Sequence, residues 1–179
     1  MLKVKALLFD VFGTVVDWRT GIAKEVESIA DKNDISLDPF DFADAWRAEY
    51  QPAMEEIRKG RRSFTILDIL HMENLKKIAP KFNLHNILDE DFKLLVTAWH
   101  RLPGWPDSSE GINLLKKKYI LATQSNGNIA LIVNMAKFSN LNWDVVLGAE
   151  VIGHYKPEPE AYLKACNALD LKTEECLMV

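Results

Sequence analysis

A chain of 179 residues is long enough for one well-buried domain, or for a core with a modest insertion, but not for two large independent domains. Its 22 Lys and Arg residues stand against 26 Asp and Glu residues, which gives a formal net charge of -4 without any long basic run. This charge balance argues against nucleic acid and anionic membrane surfaces as partners.

The hydropathy pattern indicates neither a membrane span nor a signal peptide. No apolar stretch approaches the roughly 20 residues that cross a bilayer, so we expect a cytoplasmic protein. Cys166 and Cys176 are the two cysteines and lack the Cys-x-x-Cys spacing. Their number and spacing favour free thiols over a disulfide framework or a zinc site.

The apolar run from Val4 to Phe9 predicts a buried parallel strand that ends at Asp10. Ligands of open α/β sheets bind at the carboxyl ends of the strands, which places Asp10 at the functional edge. Gly13 permits a tight turn, and the amides from Phe12 to Thr14 are candidates for an anion-binding nest. The alternative is that Asp10 only caps a turn.

Four helices in succession are predicted after this strand from apolar spacing and helix-start signals. They are a helix over 21–32, a helix that begins near Pro39 and is interrupted or restarted at Pro52, a helix over 64–78 capped by Ser63, and a helix that begins at Asp89. The turn-rich segment 102–106 then marks a boundary.

Strands and helices alternate beyond that boundary, as in βαβ units with parallel strands. The predicted elements are helix 109–117, strand 119–123, helix 129–137, strand 145–147, helix 159–169 and strand 176–179. We therefore expect a doubly wound, Rossmann-like parallel sheet built from residues 1–16 and 103–179, with a helical cap over 17–102. Because the last predicted strand reaches Val179, we expect the sheet to be incomplete at the C-terminus.

Two further polar clusters follow the predicted strands. Ser125 and Asn126 come directly after the second strand, where a hydroxyl, an amide and a Gly turn before a helix could bind an anion. An ordinary turn and helix cap is the alternative. Lys156 lies on a loop stiffened by two prolines, so it could pair with Asp10 and orient it. A solvated lysine is the alternative there.

Together the three clusters resemble the haloacid dehalogenase superfamily. Its first motif is a strand that ends in Asp-x-x-Gly-Thr, its second is a strand that ends in Ser or Thr, and its third is a lysine before a helix. Phosphatases of the superfamily carry a second aspartate two positions after the nucleophile, where this chain has Phe12. With Arg47 and Tyr162 also matching, the sequence looks most like the metal-independent (S)-2-haloacid dehalogenases, the L-2-haloacid type.

The resemblance implies a role for each matching residue. Asp10 would attack C2 of a short 2-haloacid and form an ester, Lys156 would orient Asp10, and Thr14 and Tyr162 would support it. Ser125 would help to bind the substrate carboxylate, and Arg47 and Asn126 would receive the halide. Phe12 would help to line the pocket. The expected partner is a small 2-haloacid, with no metal or cofactor, and the family adds an expected homodimer.

Several alternatives stay open at this point. Arg47 could form a surface salt bridge on its helix. The runner-up activity is that of a magnesium-dependent phosphatase of the same superfamily. The family's fourth motif, which helps to position the hydrolytic water, follows the strand that here reaches Val179. We therefore expect either a fragment of a longer product or an incomplete enzyme, and a non-catalytic binding or assembly role is the remaining alternative.

Overall fold

A computed structural model describes residues 3–179, so residues 1 and 2 of the predicted core segment lie outside the described part. The strands are β1 Ala6–Phe9, β2 Ile120–Gln124, β3 Val145–Leu147 and β4 Cys176–Met178. They form one parallel sheet in the spatial order β3, β2, β1, β4. This arrangement confirms the predicted doubly wound fold, and it brings Asp10 beside the residues that follow β2.

Helices connect and cover these strands. The α-helices are α1 Trp18–Lys32, α2 Pro39–Ala48, α3 Tyr50–Arg58, α4 Leu67–Ile78, α5 Asp89–Ala98, α6 Ser108–Leu115, α7 Ile129–Phe138, α8 Ala149–Ile152 and α9 Pro159–Ala168. Short 3-10 helices lie at Ala79–Phe82, Leu84–Asn86, Trp99–Arg101 and Thr173–Glu175. In the described part of the chain, none of these helices is long and apolar enough to cross a membrane.

The central strand β1 is buried on both faces, which explains why its sequence is apolar throughout rather than alternating. Leu7 and Phe9 pack into the main core, which also contains residues of α1, α5 and α7. Leu8 packs into a second cluster with Ala161 and Ala165 of α9. Both faces of the sheet are therefore covered by helices, as expected for a doubly wound sheet.

The helical segment between β1 and α6 contains five α-helices rather than the predicted four. The break falls at Glu49, between α2 and α3, and Pro52 lies inside the first turn of α3. A proline is tolerated there because its missing N–H would have no partner within the helix. The division of the chain into a core and a cap stays a prediction.

The helix predicted over 64–78 corresponds to α4. The prediction that Ser63 caps it is wrong, because α4 begins only at Leu67. Residues 63–66 are kept out of the helix by two tertiary contacts. The Phe64 ring stacks on Tyr155 with 5.2 Å between centroids, and the Tyr155 hydroxyl donates to the Thr65 carbonyl oxygen at 2.5 Å. Tertiary packing thus overrides the local capping signal.

Candidate active site

Asp10 follows β1 at the carboxyl edge of the sheet, and its side chain is 33% exposed. The chain then turns through Gly13, whose φ of 92° suits glycine. The Gly13 N–H donates to the Val16 carbonyl oxygen at 3.0 Å. The Gly13 amide is therefore unavailable to the predicted anion nest, because the turn itself occupies this donor.

Both oxygens of the Asp10 carboxylate have partners. Lys156 Nζ lies 2.6 Å from Oδ1, and the Thr14 hydroxyl donates to Oδ2 at 3.1 Å. The Lys156 side chain is 14% exposed, so the pair is largely shielded from water on the lysine side. Two partners on different oxygens fix the rotation of the carboxylate, which a nucleophile needs for a defined line of attack.

Asn126 connects the turn after β2 to the lysine loop, the segment 153–158 that carries Lys156 between α8 and α9. Its Oδ1 accepts the backbone N–H of Lys156 at 2.7 Å, and its Nδ2 lies 3.4 Å from the Met54 sulfur. Because thioether sulfur is a weak acceptor, the amide keeps donor capacity on that side. A buried amide that anchors Lys156 also explains why the loop needs Asn at this position.

Arg47 is held by aromatic rings and not by a carboxylate. Its guanidinium carbon lies 3.8 Å from the centre of the Tyr50 ring and 5.6 Å from that of Trp18. Within residues 3–179, no salt bridge joins Arg47 to an acidic side chain. The surface salt bridge considered from the sequence is therefore not formed, and the positive charge is available to an anion.

A cavity of about 340 Å³ joins these elements. Its walls come from the loops after β1 and β2, from the α2–α3 region and from the lysine loop. The lining residues are Asp10, Phe12, Arg47, Tyr50, Gln51, Asn126, Lys156, Pro157 and Tyr162. Six of the eight residues predicted for the site thus share one cavity, and Thr14 contacts Asp10 directly.

Ser125, like Thr14, is a predicted site residue that lies off the cavity wall. It is buried, and its Oγ accepts the Gly127 N–H at 3.1 Å. The amino end of α7, considered above as an anion site, is already occupied by the protein's own carboxylate. Glu150 Oε1 accepts the Ile129 N–H at 2.7 Å, which satisfies the first amide of that helix. The contact of Ser125 with substrate stays a prediction.

Tyr50 is buried at the cavity wall, and its burial raises the pKa of its hydroxyl. The positive charge of Arg47 and a contact with Asn126 oppose this rise without cancelling it. Tyr50 is thus a neutral phenol near neutral pH, which can donate a hydrogen bond but is a poor base.

The turn after β2 is also fixed from the helical segment, by Asp68 on α4. Asp68 Oδ2 accepts from Asn128 Nδ2 at 2.8 Å, and the Asp68 N–H donates to Asn128 Oδ1 at 3.2 Å. His100 Nε2 lies 3.0 Å from Asp68 Oδ1. Burial opposes ionisation of Asp68, but the hydrogen bonds from His100 and Asn128 outweigh it and lower the pKa of the carboxyl group.

Gln51 and Tyr50 line the cavity but were not among the site residues predicted from the sequence. A usable signal existed, because residues three and four positions after Arg47 share its side of a helix. The break at Glu49 leaves that relationship intact, since α3 begins immediately afterwards. No comparable local signal pointed to Asp68, whose partner Asn128 is 60 residues away in sequence.

Comparison with known proteins identifies the family of this chain. A model of the haloacid dehalogenase-like hydrolase family matches residues 4–179. The chain belongs to this hydrolase family. The resemblance inferred from the three sequence motifs is thereby confirmed, and the chain is an enzyme of the hydrolase class.

Individual relatives narrow the similarity. The chain is 27% identical to (S)-2-haloacid dehalogenase 1 of Pseudomonas sp. (strain CBS-3) over 183 residues, which cover 100% of this chain and 77% of the relative. A solved defluorinating L-2-haloacid dehalogenase is 44% identical, with a TM-score of 0.95 over 98% of this chain and 72% of that protein. A second solved L-2-haloacid dehalogenase is 39% identical, with a TM-score of 0.93, and the match covers 98% of this chain and 75% of that protein.

Proposed function

We propose that this enzyme converts short (S)-2-haloalkanoic acids to (R)-2-hydroxy acids through an ester on Asp10, with hydrolysis of that ester as the slower of the two steps. Support comes from the relatives named (S)-2-haloacid and L-2-haloacid dehalogenase. The single observation that carries the proposal is the cavity lined by both Asp10, which pairs with Lys156, and Arg47. The Arg47 guanidinium forms no salt bridge with a carboxylate in residues 3–179 and stacks on Tyr50 instead. A nucleophilic anion and a free cation are the groups that displacement of a halide needs.

In the proposed first step, an oxygen of Asp10 attacks C2 of the substrate from the side opposite the halogen. The new C–O bond forms as the carbon–halogen bond breaks, and the halide leaves with the bonding pair. The configuration at C2 is thereby inverted. Arg47 and Asn126 receive the halide, while Ser125 contributes to binding of the substrate carboxylate.

In the proposed second step, water adds to the carbonyl carbon of the Asp10 ester. Cleavage of the acyl C–O bond returns the Asp10 carboxylate and releases the 2-hydroxy acid with a proton. Tyr162 lines the same cavity as Lys156, and its proposed role is to support the lysine. No metal or cofactor enters either step, because neither the attacking carboxylate nor the departing halide requires one.

Phe12 distinguishes this proposal from that of a magnesium-dependent phosphatase. It lines the cavity two residues after Asp10, where a phosphatase of the superfamily would place an acidic side chain. A phenyl ring can neither protonate a leaving group nor bind a cation through oxygen. The apolar ring instead suits the short alkyl part of a haloacid.

The decisive experiment compares substrates with and without magnesium. Halide release from (S)-2-chloropropionate and phosphate release from an aryl phosphate are each measured with added Mg²⁺ and with a chelator. We expect halide from the (S) enantiomer alone, equal in both conditions, and none from the Asp10→Asn variant. Phosphate release that requires magnesium would overturn the proposal.

A non-catalytic assembly role is the second candidate, favoured by one observation. Three apolar side chains of the edge strand β4 and its end are exposed, namely Leu177, Met178 and Val179 at 52%, 38% and 43%. An exposed apolar edge invites pairing with another chain. Sedimentation at several protein concentrations tests this role, and a stable monomer without self-association would rule it out.

A further inference from the structure

Lys156 is fixed at its backbone from both sides by side chains of other elements. Its N–H donates to Asn126 Oδ1 at 2.7 Å, as described above. Its carbonyl oxygen accepts a hydrogen bond from Arg58 Nη1 at 3.0 Å. Arg58 is the last residue of α3, so this second contact comes from the helical segment, 98 residues away in sequence.

The Arg58 guanidinium is itself held in one orientation. Its Nε donates to Glu55 Oε2 at 2.8 Å, one turn earlier on the same helix, and its Nη2 donates to Gln51 Oε1 at 3.1 Å. The side chain is 13% exposed, so these bonds are partly shielded from water. A planar guanidinium can serve three acceptors in fixed directions at once, which a lysine ammonium on a flexible stem cannot.

We infer that Arg58 is a positioning residue for the nucleophile and acts through Lys156 without touching the substrate. Arg58 holds the Lys156 carbonyl, the fixed Lys156 backbone aims its ammonium at Asp10, and the ammonium holds the carboxylate for attack. The same guanidinium holds Gln51 at the cavity wall. This inference rests on the proposed function in that its rate measurement uses a haloacid.

The first test measures the rate of ester formation against the concentration of (S)-2-chloropropionate. In Arg58→Met we expect the maximal rate to fall about 10- to 100-fold, because displacements near 1 Å at a reacting group cost that much. The half-saturating concentration should stay within about threefold. Arg58→Lys should recover part of the rate, since one ammonium can still reach the Lys156 carbonyl.

Arg61→Met is the matched control. Arg61 lies three positions further along the chain, where its guanidinium pairs with Glu56 and its side chain is 51% exposed. We expect its rate to equal that of the unaltered protein. A double variant, Arg58→Met with Lys156→Met, should be no slower than Lys156→Met alone, because residues that act in series are not additive. If the double variant is slower than Lys156→Met by the whole factor that Arg58→Met causes alone, Arg58 does not act through Lys156.

The second test requires no catalysis. Acetylation of lysines by acetic anhydride is followed by peptide mass spectrometry, with Lys164 as the internal reference. We expect Arg58→Met to label Lys156 several-fold faster than the unaltered protein does, and Arg61→Met to leave its labelling unchanged. If Arg58→Met does not fold, Arg58→Lys is compared with the unaltered protein instead, and we expect a smaller increase in the rate of Lys156 labelling.

The two tests separate the possible failures. Faster labelling of Lys156 in a protein that releases no halide from any variant would refute the proposed function and support the positioning role. Halide release with neither rate nor labelling responding to Arg58 would refute the positioning role alone. Equal losses in Arg58→Met and Arg61→Met would reduce Arg58 to an ordinary structural residue.

Discussion

Lys156 and Asp10 form an ion pair across 146 residues of sequence, with 2.6 Å between Nζ and Oδ1. The Thr14 hydroxyl, four residues after Asp10, takes the other carboxylate oxygen. One partner is thus supplied by the turn that carries the nucleophile and the other by a distant loop. The orientation of Asp10 therefore depends on the correct docking of the lysine loop.

The first prediction concerns that ion pair. Lys156→Met should lower the rate of halide release from (S)-2-chloropropionate about 100-fold, because the carboxylate loses the partner that fixes its direction. Lys164→Met is the matched control, since Lys164 of α9 donates to the Ile152 carbonyl of α8 and lies off the cavity. A Lys156→Met variant as fast as the control would show that Thr14 alone orients Asp10.

The second prediction concerns the cation in the cavity. Arg47→Lys should lower the rate of halide release about 10- to 100-fold, although it keeps the charge. A lysine ammonium lacks the flat guanidinium that stacks on Tyr50 at 3.8 Å and would be held less firmly. Arg19→Lys is the control, because Arg19 lies over Phe40 and pairs with Asp44 on the surface. Equal rates in both variants would mean that Arg47 acts through its charge alone or not at all.

The sheet and the motif residues at its edge could be predicted because their signals are local. The apolar run before Asp10 and the alternation of elements after residue 106 set the strands, and parallel strands bring their carboxyl ends together. The third strand was predicted with the observed bounds, Val145–Leu147. The starts of α5, α7 and α9 also match the prediction. Some other boundaries differ by one to three residues, as at α1, where Asp17 accepts from the Thr20 N–H and caps the helix before the predicted start.

What the sequence could not predict depends on contacts between distant segments. The late start of α4 follows from the stacking of Phe64 on Tyr155, 91 positions apart in number. The guanidinium of Arg58 reaches the lysine loop only because α3 packs beside it in the fold. The carboxylate of Glu150 occupies a helix end that looked free in the sequence. Each of these arises from packing, for which a single sequence carries no periodic or local signal.

The third prediction concerns the Asp68 contact between α4 and the turn after β2. Asp68→Ala should lower the free energy of unfolding at pH 7 by about 1–3 kcal/mol, because it leaves partly buried hydrogen-bond groups without partners. Asp44→Ala on the surface should cost less than about 1 kcal/mol. Since the pKa of Asp68 is lowered in the fold, its ionised form stabilises the protein at neutral pH. That contribution is lost as the pH falls through this lowered pKa.

Urea unfolding at several pH values measures this prediction. The gap in stability between the unaltered protein and Asp68→Ala should narrow as the solution becomes acidic. A gap that stays constant would show that Asp68 contributes through packing and not through its charge.

The fourth prediction concerns His71, which is buried against Trp99 with 4.3 Å between ring centroids. Burial, assisted by the positive charges of Arg47 and His100, lowers the pKa of His71 to about 3 despite the nearby Asp68. In the unfolded chain, the pKa of the His71 side chain would have its ordinary value of 6.5. Between these two pKa values, His71 is protonated in the unfolded state but not in the folded state. The free energy of unfolding should therefore fall by about 1.4 kcal/mol for each pH unit of acidification.

His71→Phe should weaken this decrease of the free energy of unfolding at acidic pH, because the titratable ring is replaced by one that cannot bind a proton. The aromatic packing is largely kept. Neither ring nitrogen of His71 has a hydrogen-bond partner in residues 3–179, so the substitution should not weaken the fold at pH 7 through lost bonds. The exposed His85→Phe is the control. The free energy of unfolding is measured with urea between pH 4 and 7. If its dependence on pH is the same in His71→Phe as in the unaltered protein, His71 is not the cause of the loss of stability in acid.

The last prediction separates the two halves of the proposed cycle. Ester formation uses Asp10 directly as the nucleophile, whereas hydrolysis depends on water, a poor nucleophile at neutral pH. General-base assistance typically contributes about 100- to 10,000-fold to such a step. Among the described residues that line the cavity, Asp10 is the single carboxylate and none is a histidine. Tyr50 offers no substitute, because burial raises the pKa of its hydroxyl.

The protein should therefore release about one halide per molecule and then accumulate as the Asp10 ester, because the described residues of the cavity wall supply no second base. Intact-mass measurement after exposure to (S)-2-chloropropionate should show one added carboxyethyl group, which the Asp10→Asn variant should lack. Counting the halide by ion chromatography on the same samples gives the stoichiometry. Sustained release of many halides per molecule would contradict this prediction and show that another residue activates the water.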